Sequence, residues 1–526
     1  MTNQIKKTKP IVLIILDGWG TAAPNPGNAV SLAKVSNFNS LQERYPCALL
    51  CASTECVGLP KGQAGNSEAG HLNLGAGRVF KDDAVYIDRA IQRSDFTKNP
   101  VFHQAVRQVE KRKSKIHLMG LIAENQSAHS SPNHWLAMIK FLENQNLPGV
   151  FLHLFTDGRD SSQYAALKII KRFERETENH KQNSHFFIKI ASLAGRFYAM
   201  DRGKNWERIE AVYEALVLGR GLKVNNVTEA IVQAYNRGET DEFIKPTIIV
   251  ADKGPVATVN DGDALIFMNL RSDRARQLTK VFGQKDFNQK NPGSFIRKKI
   301  PKNLFFVALT DFGPDLDYVW TAYPSRKVEN SLPFILKNFR QAYIAETEKF
   351  AHVSFFFNGG YDHSVASEER IMIPSVRVAS YTQKPEMSAA EITKTVLRKI
   401  DKGFDFLTVN FANPDILGHT GDLKAAIKGL EFVDKCLAEI LGMCFKRNGT
   451  ILITADHGNV EEMINLKTGE IDTKHSNNPV PFILVNEKLK KINLRENGIL
   501  ADVAPTILAI MGIEKPLEMT GQSLLK

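Results

Sequence analysis

Cysteine is scarce in this chain. Five in 526 residues, an odd number, argue against a disulfide scaffold. Cys47, Cys51 and Cys56 have no histidine beside them at zinc-finger spacing and read as small hydrophobes, and a reducing compartment is the expectation. Long apolar runs are also missing: none approaches the ~18 residues of a membrane span. The run Ile11–Leu16 behind Lys6, Lys7 and Lys9 is shorter than the about 7–15 residues of a secretory h-region and is cut off by Asp17. No short internal repeat or low-complexity linker breaks the chain. Nor does its net charge of +11 come with an aromatic-lined basic groove or a recognised nucleic-acid reader motif. We therefore expect a cytoplasmic protein with no membrane or nucleic-acid partner, whose surplus lysines form a solvated surface. The composition, 43% hydrophobic and 24% charged, is that of a globular chain. At ~100–200 residues per domain its length suits a few units.

Short apolar runs alternate with helical patterns throughout. Ile11–Leu16, Lys115–Ile122, Val150–Phe155, Phe186–Leu193, Ala264–Asn269, Leu304–Leu309, Phe406–Phe411 and Thr450–Thr454 read as strands buried on both faces. Ser131-Pro132 opens a helix carrying Trp135, Leu136, Ile139 and Leu142. Trp206–Gly219 places Ile209, Val212, Tyr213, Leu216 and Val217 at helical spacing. Leu423–Gly449 carries one long apolar stripe and is expected to end at Gly449. Lys285–Lys302 is polar and basic and reads as a surface excursion. Strand–helix repetition implies an α/β fold with mostly parallel sheets.

In such sheets ligands bind beyond the carboxyl ends of the strands. Asp17 follows Ile11–Leu16. Asp415 and His419, four apart, follow Phe406–Phe411. Asp456 and His457 follow Thr450–Thr454, and His475 lies a little further on. Each alone is an ordinary polar residue at a strand end. Together, three aspartates and three histidines point to a metal centre, exceed the needs of one closed site, and suit Mn or Zn better than Ca or Mg. The glycine-rich loop Gly62–His71 lacks the lysine of a GxxxxGK[ST] phosphate loop. It leaves Ser67 on a turn feeding a helix N-terminus, where a hydroxyl beside metal ions becomes a candidate nucleophile. Gly18-Trp19-Gly20-Thr21-Ala22-Ala23 matches a dinucleotide fingerprint, but Pro24 and Pro26 interrupt the required helix and Asp17 would repel a pyrophosphate. Mid-chain strand ends carry Arg159 and Asp160, Arg196 and Arg202, and Arg271, Arg274 and Arg276. Several arginines at strand ends suit a substrate with more than one anionic group.

Specific motifs occur in order: Gly65-Asn66-Ser67-Glu68, Asp157-Gly158-Arg159-Asp160, Gly195-Arg196 through Arg202, Asn269–Arg274, Ala345–Lys349, Asn413–His419, Ala455–Asn459 and His475 with Asn478-Pro479-Val480-Pro481. Together they resemble the cofactor-independent phosphoglycerate mutases of the alkaline-phosphatase-like metalloenzyme superfamily, over nearly the whole chain. The resemblance implies two manganese ions, one held by Asp415, His419 and His475, the other by Asp17, Ser67, Asp456 and His457. It implies Ser67 as nucleophile, forming a phosphoserine. His129, Arg159, Asp160, Arg196, Arg202, Arg271, Arg274 and Lys349 would hold the phosphoglycerate, with Asp160 and Lys349 also catalytic and Asp160 carrying the proton between the substrate hydroxyls. One loop departs from the family. Where its members read Gly-Gly-Val-His-Ser-His, this chain reads Asn125-Gln126-Ser127-Ala128-His129-Ser130, without the glycines and with one residue more before the histidine.

Asp17 and Ser67 must meet Asp415 through His475 across a segment with a full α/β pattern of its own. An inserted domain is the economical solution. We expect a discontinuous phosphatase-like metal domain over 1–81 and 321–526 and a substrate domain over 82–320, with the substrate between them. The implied activity is interconversion of 3- and 2-phosphoglycerate in glycolysis and gluconeogenesis by a monomer, without bisphosphoglycerate. Phosphatases and phosphopentomutases of the same superfamily lack the Arg159/Asp160, Arg196/Arg202 and Arg271/Arg274 set.

Overall fold

The computed structural model describes residues 10–125, 127–179, 185–252 and 254–526; Gln126 of the departing loop lies outside them. The chain forms two compact units, Met1–Asp82 with Arg326–Lys526, and Asp83–Ser325.

The first unit is built on eight strands in the order Glu369–Ile373, Gln341–Glu346, Phe406–Phe411, Ile11–Leu16, Thr450–Thr454, Val480–Val485, Cys47–Cys51 and Gly498–Ile499. The first five run parallel, and Val480–Val485 runs antiparallel to its neighbours on both sides. Phe406–Phe411, Ile11–Leu16 and Thr450–Thr454 are buried at every residue, which is why their sequences are continuous apolar runs without alternation. Their register pairs Ile15 with both Asn410 and Thr454, so three adjacent strands end level and their following residues share one sheet edge. Helix Leu423–Lys446 lays Leu430, Val433, Leu437, Ile440 and Leu441 into the core. It ends before Gly449, and the left-handed residue is Asn448 (φ 52°), since asparagine tolerates that conformation. Its buried Asp434 accepts from the backbone N–H groups of Asn37 (3.1 Å) and Phe38 (2.8 Å). These bonds cap helix Ser36–Arg44, whose own N-cap residue, Val35, has no side-chain acceptor.

Cys51 and Cys56 are disulfide-bonded, contrary to their reading as isolated small hydrophobes. The 3-10 turn Thr54–Val57 folds the chain back after strand Cys47–Cys51 and brings their Cα atoms to 6.0 Å.

The second unit has its own sheet. Val319–Tyr323, Phe305–Thr310, Ala264–Phe267, Ile116–Leu121, Gly149–Thr156 and Phe187–Gly195 run parallel; Thr247–Ala251 then runs antiparallel, followed by Leu222–Val224, with Gly254–Pro255 paired to Thr247–Ala251. Two apolar clusters cover it, one including Trp135 and Phe141, the other Trp206 and Tyr213. Along Ile116–Leu121 alternate residues enter opposite clusters, Leu118 the first and Met119 the second. The basic stretch 285–302 is less superficial than its composition implies. Phe287 is buried, and the Arg297 guanidinium donates to the carbonyls of Val281 (2.8 Å) and Gln284 (3.1 Å).

A buried polar chain crosses this sheet. His117 Nε2 lies 3.2 Å from Asp263 Oδ2, His117 Nδ1 lies 3.0 Å from His153 Nε2, and His153 Nδ1 lies 2.8 Å from Ser192 Oγ. Burial pushes both imidazoles below the ordinary histidine range, and for His117 the bond to Asp263 offsets only part of it. With folded values below the ~6.5 of an unfolded chain, the unfolded state takes up more protons in acid. This contribution is complete above about pH 6.5 and is lost as pH falls from there toward the folded values. The melting temperature of chelator-treated protein should therefore fall below about pH 6.5, with a shallower fall in His153→Gln. A wild-type melting temperature that stays constant down to about pH 5 would refute this.

Candidate functional site

Four adjacent parallel strands of the first unit deliver the site. Lys349 follows Gln341–Glu346, Asp415 follows Phe406–Phe411, Asp17 follows Ile11–Leu16, and Asp456 and His457 follow Thr450–Thr454. Ser67 is the first residue of helix Ser67–Ala76, and the Asn66 side chain caps that helix by accepting from Ala69 N (2.9 Å). The helix N-terminus thus presents a hydroxyl and positive dipole together, a setting suited to a phosphoryl group.

All seven residues expected to hold metal come together. His419 Nε2 and His475 Nε2 lie 3.3 and 3.2 Å from Asp415 Oδ1 and 3.0 Å from each other. Asp17, Asp456 and His457 are fully buried. His457 Nε2 is 3.6 Å from both Asp17 Oδ1 and Asp456 Oδ2, and 2.9 Å from Ser67 Oγ. Asp456 and His457, adjacent in sequence, thus face one cluster. Lys349 Nζ sits 2.6 Å from Asp17 Oδ1, 2.6 Å from Asp415 Oδ2 and 2.7 Å from Ser67 Oγ.

The donor set fits divalent metal. The Nδ1 atoms of His419, His475 and His457 each face a backbone carbonyl: Thr473 at 2.8 Å, Gly65 at 2.8 Å and Gly458 at 3.2 Å. That places the ring proton on Nδ1 and turns a bare Nε2 lone pair toward the carboxylates, the arrangement of metal-bound histidine. Between His419 and His475 two such lone pairs and Asp415 Oδ1 converge with no proton to share. Asp415, His419 and His475 form one set of ligand atoms within 4.8 Å of one another; Asp17, Asp415 and His457 form a second; Asp17, His71 and Asp456 form a third.

Electrostatics match this geometry. Burial pushes the Asp415 carboxyl up, but the Lys349 ammonium leads the groups that hold it well below the usual carboxylate range. Burial, then the charge of Asp456, pushes Asp17 up to about 7 despite Lys349. Burial pushes His457 down to about 4, so it is a neutral imidazole. Lys349 is raised despite its burial, because Asp17, Asp415 and Asp456 surround it.

Three further residues, not singled out from the sequence, orient the ligands. Asn410 Nδ2 donates to Asp17 Oδ2 (2.7 Å) and faces His71 Nε2 (3.0 Å). Asn459 Nδ2 donates to Asp415 Oδ1 (2.9 Å). His71 Nδ1 lies 2.9 Å from Ser67 O and 3.1 Å from Asp456 Oδ2. One N–H serves the nearer acceptor, so Asp456 Oδ2 stays buried without a hydrogen bond, a free ligand atom. Asn410 carried a signal, being an amide within an otherwise nearly apolar strand.

The second unit collects the remaining candidates. Arg196, buried, pairs with Asp157 (2.6 Å) and Asp160 (2.9 Å). Arg202 pairs with Asp273 at 3.0 Å, and Arg271 lies 3.4 Å from the same carboxylate. Arg274 is lowered by burial and by the neighbouring charges of Arg196, Arg202 and Arg159, which places these four guanidinium groups together. Arg276 stands apart on Asp315 and on the carbonyls of Phe312 and Pro314. His129 is buried, its Nδ1 has no hydrogen-bond partner among the described residues, and its backbone carbonyl accepts from Leu270 N (2.9 Å). Burial and the Arg196 charge push its imidazole down to about 4. The loop without glycines is turned instead by Ser127, whose Oγ accepts from His129 N (3.2 Å) and Ser130 N (3.2 Å).

Comparison with known proteins agrees with this chemistry. The model of the Metalloenzyme superfamily matches residues 9–515. A 2,3-bisphosphoglycerate-independent phosphoglycerate mutase of Clostridium kluyveri is 44% identical over 521 residues, 98% of this chain and 99% of that one. The 2,3-bisphosphoglycerate-independent phosphoglycerate mutase 2 of Methanosarcina barkeri is 46% identical over 534 residues, 98% of each chain. Among solved structures, a Leishmania mexicana phosphoglycerate mutase crystallised at low cobalt concentration aligns with a TM-score of 0.75 and 28% identity, covering 100% of this chain and 98% of that one.

A divalent ion should bind the wild-type protein in titration calorimetry, and His475→Ala should lower that affinity at least about tenfold without changing the far-ultraviolet circular dichroism. Equal affinity in the two proteins would remove His475 from the centre.

Proposed function

Because the chain belongs to the 2,3-bisphosphoglycerate-independent phosphoglycerate mutases of the alkaline-phosphatase-like Metalloenzyme superfamily, we propose that it interconverts 3-phosphoglycerate and 2-phosphoglycerate through a phosphoserine at Ser67, with no bisphosphoglycerate cofactor. The observation that carries this reading is the placement of Ser67. Its hydroxyl stands at a helix N-terminus, 2.7 Å from Lys349 Nζ and 2.9 Å from His457 Nε2, inside a set of carboxylate and imidazole ligand atoms.

Asp415, His419 and His475 would hold one manganese ion in this reading, and Asp17, Ser67, Asp456 and His457 would hold the other. When bound, the two ions neutralise phosphoryl charge and favour the ionised form of the Ser67 hydroxyl. Ser67 attacks phosphorus in line, and Lys349 donates to Oγ and steadies its negative charge. Phosphoglycerate carries roughly −2.5 to −3 charges, the phosphate bringing about −1.5 to −2. Arg159, Arg196, Arg202, Arg271 and Arg274 answer that charge, and His129, a neutral imidazole with a free Nδ1, adds a hydrogen bond. Asp160 gives a proton to the departing glycerate hydroxyl and takes one from the hydroxyl that attacks next. The Arg196 guanidinium outweighs burial and holds its carboxyl below the usual range. Engagement of Arg196 by the substrate's own anionic groups relieves that hold. The retained glycerate turns over, and its 2-hydroxyl attacks phosphoserine to give 2-phosphoglycerate. The arginine set separates this reading from a phosphatase, which has no need to keep an anionic alcohol bound.

We place the enzyme in the cytoplasm as a monomer acting on a small-molecule substrate. No helix among the described residues is long and apolar enough to cross a membrane.

Purified protein given 3-phosphoglycerate and manganese, with no bisphosphoglycerate, should form 2-phosphoglycerate, and chelation should stop it. Ser67→Ala should lower turnover by at least about 10³-fold. Retained turnover in that variant, or none in the metal-loaded wild type, would overturn the proposal. Arg271→Ala should raise KM for phosphoglycerate while manganese affinity stays unchanged; loss of the metal instead would contradict its assignment to the substrate.

A further inference from the structure

Glu461 has no part in the chemistry above, yet its fully buried carboxylate is the meeting point of three loops. Its Oε2 accepts from Gly20 N (3.0 Å) and Asn459 N (2.8 Å). Its Oε1 accepts from Ser476 Oγ and from Asn478 Nδ2 (3.0 Å). Gly20 belongs to the loop that begins with Asp17, Asn459 to the loop that begins with Asp456 and His457, and Ser476 directly follows His475. The same loops are laced by backbone bonds, Val460 N to Gly18 O (3.2 Å) and Ser476 N to Gly458 O (3.0 Å). The space is reserved for this side chain: a Cβ on Gly20 would collide with the Glu461 carboxylate, and one on Gly458 with Glu461 Oε1 and Ser476 Oγ. Four donors on two oxygens are what an ionised carboxylate can accept and an amide cannot.

We propose that Glu461 is a positioning residue for the metal centre: through its four acceptor bonds it holds the Asp17, His457 and His475 loops in the mutual register that their ligand atoms require. The inference rests on the metal-centre reading of the site and is independent of which reaction the centre serves.

The test is manganese affinity by titration calorimetry on full-length protein, beside the melting temperature of the chelator-treated form. Glu461→Gln keeps the volume but turns an N–H group toward two donors, and affinity should fall about 10–100-fold, the range for residues that orient metal ligands. Activity should return toward wild type at high manganese with KM for phosphoglycerate unchanged. Asp434→Asn is the control for general destabilisation. It weakens a buried carboxylate that accepts three hydrogen bonds in the same unit, on helix Leu423–Lys446 and away from the ligand loops. It should lower the melting temperature and leave affinity untouched. Ser476→Ala removes a single donor and should cost a few-fold in affinity with the fold intact, which keeps the question open to test if Glu461→Gln fails to fold. Wild-type affinity in Glu461→Gln or Ser476→Ala, or an equal loss in Asp434→Asn, would overturn the proposal. Tight manganese binding by a wild type that does not turn over phosphoglycerate would instead sink the reaction and leave Glu461 standing.

Discussion

Three carboxylates crowded together out of reach of water repel one another, and the first unit is arranged around that repulsion. Asp17, Asp415 and Asp456 are all buried, and they meet because three neighbouring parallel strands end level. Taking like charges out of water together is among the most expensive arrangements a protein can hold. Lys349 returns one positive charge at 2.6 Å from each of Asp17 and Asp415. The raised Asp17 shows that one lysine is not enough, and dications are the natural complement. A pocket that stores this much negative charge favours cations of high charge density.

The second unit applies the opposite sign. Burial and the neighbouring charges of Arg196, Arg202 and Arg159 depress Arg274, and Asp157, Asp160 and Asp273 temper the cluster. Arg196 is fixed by two carboxylates, while Arg159 lies 3.9 Å from Glu242. A cluster of that kind is satisfied by a ligand with separated anionic groups. Each unit is electrostatically unfinished alone, one short of cations and one short of anions.

Much of this was visible in the residues, for identifiable reasons. Strands buried on both faces write continuous apolar runs, so Phe406–Phe411 and Thr450–Thr454 have the limits expected of them. The candidate ligands were legible because a polar residue directly after such a run has only the sheet edge to occupy. Strand Gln341–Glu346 was not legible: its sequence mixes polar and apolar residues although every position is buried, and Lys349 was reached through family motifs alone. Asn410, Asn459, His71 and Glu461 went unassigned because their roles are relational. Each matters through a carboxylate, imidazole or loop distant in sequence, and no local spacing encodes that. The Cys51–Cys56 bond escaped because a spacing of five says nothing until a turn brings the thiols together.

The interrupted first unit also imposes an order on birth. As the chain leaves the ribosome, strand Ile11–Leu16 emerges with neither of its lateral partners yet made, since these are Phe406–Phe411 and Thr450–Thr454. The intervening Asp83–Ser325 segment holds a complete sheet and core and is free to fold first. The strand's native pairing must therefore wait until most of the chain has been made. Any product cut short before His475 is translated lacks the means to assemble the full ion-binding set.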